Sequence, residues 1–229
     1  MPPPRSQQVR SSGKTIAAAK TLLLVGAGLI GVEVAADLRL RNRQIERVVL
    51  LSKTGRVLSD THSAEIQEAI SQKLTGLGVE ILKGSLSEEF DEFTPMLEPG
   101  RARLVAGSDV EEIDFDVYIP TFAQGPNTTF LAGSGVLDAA GWIESTTCLQ
   151  SKARPEIFGA GVTNMPQLGH PISARMPAEG ITCAHNAKLF LDGVPNAELR
   201  PHNDSLMPPV LPRPVAIKVG HGKGGFAMW

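Results

Sequence analysis

The stretch "TLLLVGAGLIGVEVAADL", residues 21–38, decides the fold of this 229-residue chain. It begins with a continuous apolar run, Thr21–Val25, which is typical of a strand buried on both faces. Three glycines follow in the spacing G-x-G-x-x-G: Gly26, Gly28 and Gly31. An amphipathic pattern then predicts a helix that ends near residues 41–43, and "RVVLLS", residues 47–52, predicts the next buried strand. The glycines therefore lie between a strand and a helix inside a βαβ unit.

The glycine spacing predicts a dinucleotide-binding turn. The first glycine permits a tight turn, the second lets the backbone approach a pyrophosphate, and the third lets the helix pack closely on the strand. The helix N-terminus offers N–H groups and partial positive charge to phosphates. We therefore expect a doubly wound, Rossmann-like α/β domain whose helix also places Leu29 and Ile30 in its buried stripe. The predicted cofactor-binding residues of this turn are Gly26, Ala27, Gly28, Leu29, Ile30 and Gly31.

The end of the second strand bears on which nicotinamide dinucleotide binds. An Asp or Glu about 20 residues beyond the fingerprint would hold the ribose 2′-hydroxyl of NAD. Ser52 occupies that position, and Lys53 and Arg56 follow it. A hydroxyl with nearby cations tolerates a 2′-phosphate, so these three residues predict NADPH or the use of both dinucleotides. The alternative is that the charges belong to a solvated loop.

The remaining elements continue the α/β pattern and then change. Residues 64–77 predict an amphipathic helix and "VEILKG" a strand, whereas residues 86–118 predict an antiparallel meander with "ARLVAG" and "EIDFDVYI" as strands. The composition shifts to Gly, Pro, Thr and Asn after residue 119, which indicates a domain boundary. Beyond it, "PEIFGAG" predicts a short buried strand, residues 174–191 a helix and "VAIKVG" a last strand.

The composition excludes several classes of function. The formal net charge of -2 argues against a nucleic-acid binder, and no apolar run is long enough to span a bilayer. Cys148 and Cys183 match no metal-binding or C-x-x-C spacing, and the histidines have no ligand-like spacing, so we expect neither a metal site nor a redox dithiol. The basic, acid-free first twenty residues indicate a tether, with a transit peptide as the alternative. We expect a cytoplasmic protein.

From about Ile16 onward the chain resembles the two-dinucleotide-domain flavoprotein reductases. It is most similar to the apoptosis-inducing-factor-type NAD(P)H:quinone oxidoreductases, in their ferroptosis-suppressor branch. The segment "GAGLIGVEVA" matches the family's G-x-G-x-x-G-x-E-x-A. In it, Glu33 is similar to the family's acid near the nicotinamide, although a helix-surface charge would also explain it.

Two later segments also resemble that family: the first matches the stretch where the chain leaves the NAD(P)H domain, and the second matches a stretch that binds FAD. In "DVYIPTFAQGPNTTFL" the family's P-N-T is present, but Ala123 replaces a glycine. In "GWIESTTCLQSKARPEIFGAGVTN" Gly161 fits, whereas Val162 stands where the family's aspartate binds the ribityl oxygens of FAD. The resemblance thus adds Glu33, Ala123, Gly161 and Val162 to the expected cofactor-binding residues.

The resemblance implies a domain organisation. We expect a tether (1–19), an NAD(P)-binding Rossmann domain (20–122), the C-terminal half of a FAD-binding domain (123–193) and a truncated C-terminal interface segment (194–229). Family members carry a separate FAD fingerprint ahead of the one seen here, so we expect the first half of the FAD domain to be missing. A truncated gene model, a degenerate paralogue and an oligomer in which another chain supplies the missing half are the alternatives.

The function implied by the resemblance is transfer of hydride from NAD(P)H to FAD and then to a small quinone-like acceptor. No catalytic residue can be assigned. A module that binds NAD(P)H without turnover and a degenerate fragment are the alternatives. Peripheral contact with a membrane is compatible with this prediction.

Overall fold

The computed structural model describes residues 5–42, 44–60, 62–87, 95–122, 125–161, 176–202, 215–218 and 224–227. The chain divides into two units: unit 1 comprises residues 1–123 with 211–229, and unit 2 comprises residues 124–210. The helices are α1 (Arg5–Ala18), α2 (Leu29–Arg41), α3 (Ala64–Gly76) and α4 (Met176–Leu191). The strands are β1 (Thr21–Val25), β2 (Arg47–Ser52), β3 (Val79–Lys83), β4 (Ser85–Leu86), β5 (Gly100–Ala106), β6 (Asp109–Phe115), β7 (Val117–Pro120), β8 (Val215–Lys218) and β9 (Gly224–Ala227).

Unit 1 is built on a four-stranded parallel sheet in the order β3-β2-β1-β7. The register places Leu24 of β1 beside Leu50 of β2 on one side and Ile119 of β7 on the other. Helices α2 and α3 make the crossovers between β1, β2 and β3. This is the mixed α/β, Rossmann-like arrangement that the sequence predicts.

The two faces of the parallel sheet are covered differently. Because side chains alternate along a strand, Leu22 and Leu24 pack in one cluster with residues of α2 and α3, whereas Leu23 and Val25 pack in another. The second cluster includes the inward-facing residues of a three-stranded antiparallel sheet, in the order β4-β5-β6. Both faces of β1 and β2 are therefore buried, which explains why the central residues of these strands are apolar.

The predicted strand "EIDFDVYI" divides into two strands that belong to different sheets. β6 ends at Phe115 and pairs with β5, whereas β7 begins at Val117 and pairs with β1. The chain changes sheets at Asp116, whose carboxylate accepts the backbone N–H groups of Lys20 (2.7 Å) and Thr21 (2.8 Å). These hydrogen bonds anchor the junction to the start of β1. A period-two sequence pattern cannot reveal such a long-range contact.

The segment expected to be a tether contains a helix. Residues 5–18 form α1, and Ile16 near its end packs against the core on the helix-covered face of the sheet. These residues contain no proline and one glycine, so nothing in the backbone opposes a helix. The prediction rested on the prolines at positions 2–4, which lie outside the described residues.

The predicted burial of Leu29 and Ile30 is wrong. Their side chains are 36% and 63% exposed, although α2 buries Val32, Ala35 and Ala36 as expected. Helical side chains tilt toward the N-terminus of their helix. Those of the first turn therefore project past the sheet edge, where there is no core to cover them.

The described residues of unit 2 form little regular secondary structure apart from α4. Residues 129–131 and 196–198 form single 3-10 turns, and isolated bridges join Leu137 to Ile143, Ser145 to Ser151 and Gln150 to Phe158. The stretch "PEIFGAG" is thus no buried strand: Phe158 is half-buried and makes one bridge. The first residues of this stretch belong to a turn, since the Ser151 N–H donates to the Ile157 carbonyl at 2.8 Å.

Candidate nucleotide-binding site

The backbone of the turn between β1 and α2 is fixed by hydrogen bonds with residues in or next to the neighbouring strands. Gly26 has a φ of +108°, a conformation that favours glycine, and its N–H donates to the Leu51 carbonyl at 3.1 Å. The Thr121 hydroxyl, just after β7, lies 2.6 Å from the Gly26 carbonyl and 2.9 Å from the Val25 carbonyl. Thr121 is a positioning residue that the sequence analysis missed.

Gly31 allows α2 to approach this turn. A Cβ at Gly31 would lie 1.8 Å from the Gly26 carbonyl oxygen and 2.7 Å from the Thr121 hydroxyl oxygen. No side chain fits at these distances. Gly31 therefore has the close-packing role predicted for the third glycine of the fingerprint.

Gly28 leaves open space at the start of α2. It is the N-cap residue with extended backbone, and a Cβ built on it would meet nothing within 4 Å. The first N–H groups of any helix lack partners within that helix, and they carry the positive end of the helix dipole. An incoming phosphate can thus approach this backbone without a side chain in its way.

A cleft of about 340 Å³ lies beside this turn. It is formed by the fingerprint, by the segments after β2 and around β4, and by Phe122 after β7. Its lining residues are Val25, Gly26, Ala27, Gly28, Leu51, Ser52, Lys53, Thr54, Arg56, Leu58, Gly84, Ser85, Leu86 and Phe122. Six of the predicted cofactor-binding residues line it: Gly26, Ala27, Gly28, Ser52, Lys53 and Arg56. Leu29, Ile30, Gly31 and Glu33 lie on α2 next to it, with Glu33 half-buried.

Ser52 shapes the wall of the cleft from a buried position. Its side chain is largely inaccessible, and its hydroxyl donates to the Arg56 carbonyl at 2.5 Å. The Ser52 carbonyl accepts the N–H groups of Gly55 (3.2 Å) and Gly84 (2.9 Å). The hydroxyl predicted to face the ribose is therefore used to hold the loop that follows β2.

That loop also folds back onto the fingerprint. The Leu58 N–H donates to the Ala27 carbonyl at 2.6 Å, and Leu58 has a φ of +64°, which is uncommon for a side chain of this size. Its side chain is buried and lines the cleft. The nucleotide-binding turn and the loop after β2 are thus joined directly, a contact for which the sequence offers no motif.

Three cations lie on or beside this loop. Lys53 and Arg56, which the sequence predicts to face a ribose phosphate, are exposed and line the cleft. Lys83, which the sequence analysis missed, pairs in register with Ser52, and its stem lies against Gly55. Asp60, four residues after Arg56, accepts a hydrogen bond from it at 2.8 Å.

Of the three later cofactor-binding residues that the resemblance adds, Ala123, Gly161 and Val162, the structure describes Gly161. Its N–H donates to a carboxylate oxygen of Glu179 at 2.7 Å, and Glu179 is buried in the first turns of α4. This amide is therefore bound to protein and is not offered to a ligand. Ala123 and Val162 lie outside the described residues.

The cysteines of unit 2 are free thiols. Burial raises the pKa of the Cys183 thiol, and the negative charge of Glu179 adds to the effect. Cys183 is therefore a neutral thiol at neutral pH. Within the described ranges, no three His, Cys, Asp or Glu side chains are grouped as metal ligands, and none of the helices there is long and apolar enough to cross a membrane.

Two curated proteins are similar in sequence to part of this chain. It is 28% identical over 155 residues to the oxidoreductase ptaL of Pestalotiopsis fici, a match that covers 68% of this chain and 40% of that protein. It is 28% identical over 153 residues to Fe-regulated protein 8 of Mycosarcoma maydis, covering 67% and 36%. The chain thus spans well under half of the length of these relatives.

Solved structures share the fold. A mutant of the HOCl-induced flavoprotein disulfide reductase RclA from Escherichia coli, in its Cu(II) complex, matches with a TM-score of 0.61 at 15% identity, over 88% of this chain and 40% of that one. The water-forming NADH oxidase from Lactobacillus brevis, bound to NADH, matches with a TM-score of 0.61 at 20% identity, over 80% and 40%. The family model described as pyridine nucleotide-disulphide oxidoreductase matches residues 4–188. Since this is more than half of the sequence, the chain belongs to the pyridine nucleotide-disulphide oxidoreductase family.

Proposed function

We propose that unit 1 binds NAD(P)H and is the hydride-donor domain of a flavin-dependent oxidoreductase. The observation that carries the proposal is the cleft of about 340 Å³, in which the fingerprint and the ends of β2 and β3 meet. The residues present fit a dinucleotide. Gly28 offers open backbone to a pyrophosphate, and the cationic rim at Lys53 and Arg56 lies along the same cleft.

We further propose that the site accepts NADPH. No carboxylate stands at the end of β2 to hold a free 2′-hydroxyl, because Ser52 occupies that position and bonds to the loop. Lys53, Arg56 and Lys83 supply positive charge around the same end of the strands. A 2′-phosphate would be attracted to these side chains, whereas NADH has a neutral 2′-hydroxyl and would not gain this interaction.

FAD and a quinone-type acceptor complete the proposed reaction. When bound, FAD would take the hydride and pass electrons on to the acceptor. Family membership supports the flavin, whereas the described residues of unit 2 do not: the Gly161 amide is bound to Glu179. The residues of this chain that we assign to the reaction are therefore those that hold and orient NAD(P)H.

Titration with NADPH tests nucleotide binding, and Gly28→Ala is the decisive variant. Alanine is compatible with the backbone at Gly28, whose φ is -75°, and its methyl group meets nothing in the protein. The methyl group would occupy the approach of the pyrophosphate, so we expect affinity to fall about tenfold or more while the urea midpoint stays unchanged. Gly76→Ala on α3, where a Cβ also meets open space, is the control and should leave binding intact.

A visible spectrum recorded before and after anaerobic addition of NADPH tests the flavin. A flavin band that bleaches supports an oxidoreductase, and reoxidation by a soluble quinone supports the acceptor class. A colourless protein that binds NADPH and cannot be reconstituted with FAD would refute the oxidoreductase and leave a nucleotide-binding module. Failure to bind either nicotinamide dinucleotide would refute the proposal altogether.

A further inference from the structure

The Arg56 side chain lines the cleft and also donates a hydrogen bond to a carboxylate of its own loop. Arg56 lines the cleft, and its Nη2 donates to Asp60 Oδ1 at 2.8 Å. The two side chains are 57% and 79% exposed, so both can exchange this partner for another from solvent. Asp60 does not belong to the cleft lining, and its effect on a ligand would pass through Arg56.

The backbone that carries Arg56 is fixed on both sides. The Arg56 carbonyl accepts the Ser52 hydroxyl at 2.5 Å, and two residues later the Leu58 N–H donates to Ala27 of the fingerprint at 2.6 Å. Because the loop is held to the dinucleotide turn, the reach of the Arg56 side chain is limited to the rim of the cleft. Asp60, four residues on, lies within that reach.

We propose that Asp60 is a specificity-determining residue of the dinucleotide site, because it competes with the 2′-phosphate of NADPH for the guanidinium of Arg56. The inference rests on the proposed function of unit 1. A guanidinium binds a phosphate best through two parallel N–H donors, and the Asp60 carboxylate occupies one of the donors of Arg56. NADH, which has a neutral 2′-hydroxyl, is insensitive to this competition. Asp60 thus keeps the preference for NADPH over NADH small.

Asp60→Asn tests the inference through the ratio of two dissociation constants. Titration of the full chain with NADPH and with NADH, followed by nicotinamide fluorescence, should show NADPH binding about two- to fivefold tighter in the variant, the range expected for loss of an exposed ion pair. The affinity for NADH should stay within the error of the measurement. Asp192→Asn is the matched control: it removes the same charge from an exposed i,i+4 ion pair with Lys188 in unit 2 and should leave both affinities unchanged.

A double-mutant cycle separates competition for Arg56 from simple repulsion. Arg56→Gln should weaken NADPH binding selectively, and adding Asp60→Asn to it should bring no further gain. An equal gain with and without Arg56 would overturn the competition, since Asp60 would then act on the phosphate directly. A gain of equal size for NADPH and NADH, or no gain at all, would also overturn it. If the wild-type chain binds neither dinucleotide, the proposed function itself fails and the inference fails with it.

Discussion

The β1–α2 turn of unit 1 and the packing of α4 in unit 2 are held together by different means. In the turn, two pieces of backbone approach so closely that a Cβ at Gly31 would lie 1.8 Å from the Gly26 carbonyl oxygen. In unit 2, one fully buried side chain joins separate segments. Asn186 of α4 donates to the carbonyls of Cys148 (2.8 Å) and Arg200 (2.7 Å), and accepts the Arg200 N–H at 2.9 Å.

This difference shows which structural features can be predicted from a sequence. A close backbone approach requires glycine at fixed spacing, and the strand and helix on either side have their own hydrophobic patterns. Several features of the sequence therefore predict the same structure. A side-chain contact such as that of Asn186 requires one polar residue, and asparagine on a helix is usually exposed. Unit 2 depends on such single residues, which is why its organisation is less apparent from the sequence.

Gly31→Ala should have the largest effect on stability. Its methyl group would collide with backbone rather than with a flexible side chain, so α2 would have to move away from β1. We expect the free energy of unfolding, from urea titration monitored by far-ultraviolet circular dichroism, to fall by about 3 kcal/mol. Binding of NADPH should be lost as well, since the helix N-terminus would shift.

Gly76→Ala and Gly28→Ala are the controls for this prediction. Both positions have open space for a Cβ and φ values that an L-residue can adopt, so a loss of stability in either would indicate a general effect of replacing glycine. A Gly31→Ala protein as stable as the wild type would show that the close approach of α2 and β1 is not needed for folding.

Asn186→Ala should have the next largest effect, confined to unit 2. It would leave three backbone groups of Cys148 and Arg200 without their partner, at a cost of about 2 kcal/mol. Trp142 lies in unit 2, so a Trp229→Phe background, which leaves Trp142 as the sole tryptophan, reports unfolding of this unit by fluorescence.

The control for this experiment is Asn127→Ala, because Asn127 is an exposed asparagine of the same unit. It should change the Trp142 transition by no more than about 0.5 kcal/mol. Equal transitions for the two variants would mean that the buried hydrogen bonds of Asn186 contribute nothing to unit 2, and that the comparison with the glycine turn is mistaken.

Much of the fold of unit 1 was predictable because its elements repeat simple periods. β1 and β2 are largely apolar runs, and α2 and α3 follow them at helical spacing, so the adjacency of β1, β2 and β3 follows from the βαβ pattern. The division of "EIDFDVYI" was not predictable. The alternation continues unbroken through Asp116, and the reason for the change of sheets is a contact with Thr21, 95 residues earlier in the chain.

The candidate site was predictable where the backbone sets it, and less so where side chains meet. The glycines gave the position of the turn, and Lys53 and Arg56 were expected at the rim of the cleft that they line. The direction of the Ser52 hydroxyl depends on how the loop folds back, which has no sequence pattern. Lys83 lies beside the same loop through strand pairing with Ser52, and such a pairing becomes visible only in three dimensions.

Asp116→Asn should have the smallest effect on stability and a distinctive pH dependence. The N–H groups of Thr21 and Lys20 lower the pKa of the Asp116 carboxyl, so the native state binds a proton less readily than the unfolded chain. The stabilisation is therefore complete above the unfolded pKa of about 3.9 and is lost as the pH falls through the lower native value. Asparagine keeps an acceptor but no charge, and at pH 7 we expect a loss of about 1 kcal/mol for this partly exposed group.

Urea unfolding of the wild type and the variant between pH 7 and pH 3 measures this difference. The gap between the two proteins should be constant down to about pH 4 and should narrow below it, as the wild-type carboxylate becomes protonated. Asp109→Asn, on the exposed end of the neighbouring strand β6, should stay within about 0.5 kcal/mol of the wild type at pH 7. A gap that widens on acidification would contradict the lowered pKa. No gap at any pH would mean that backbone pairing holds the junction at Asp116 without this carboxylate, unlike the contact in unit 2 that depends on the Asn186 side chain.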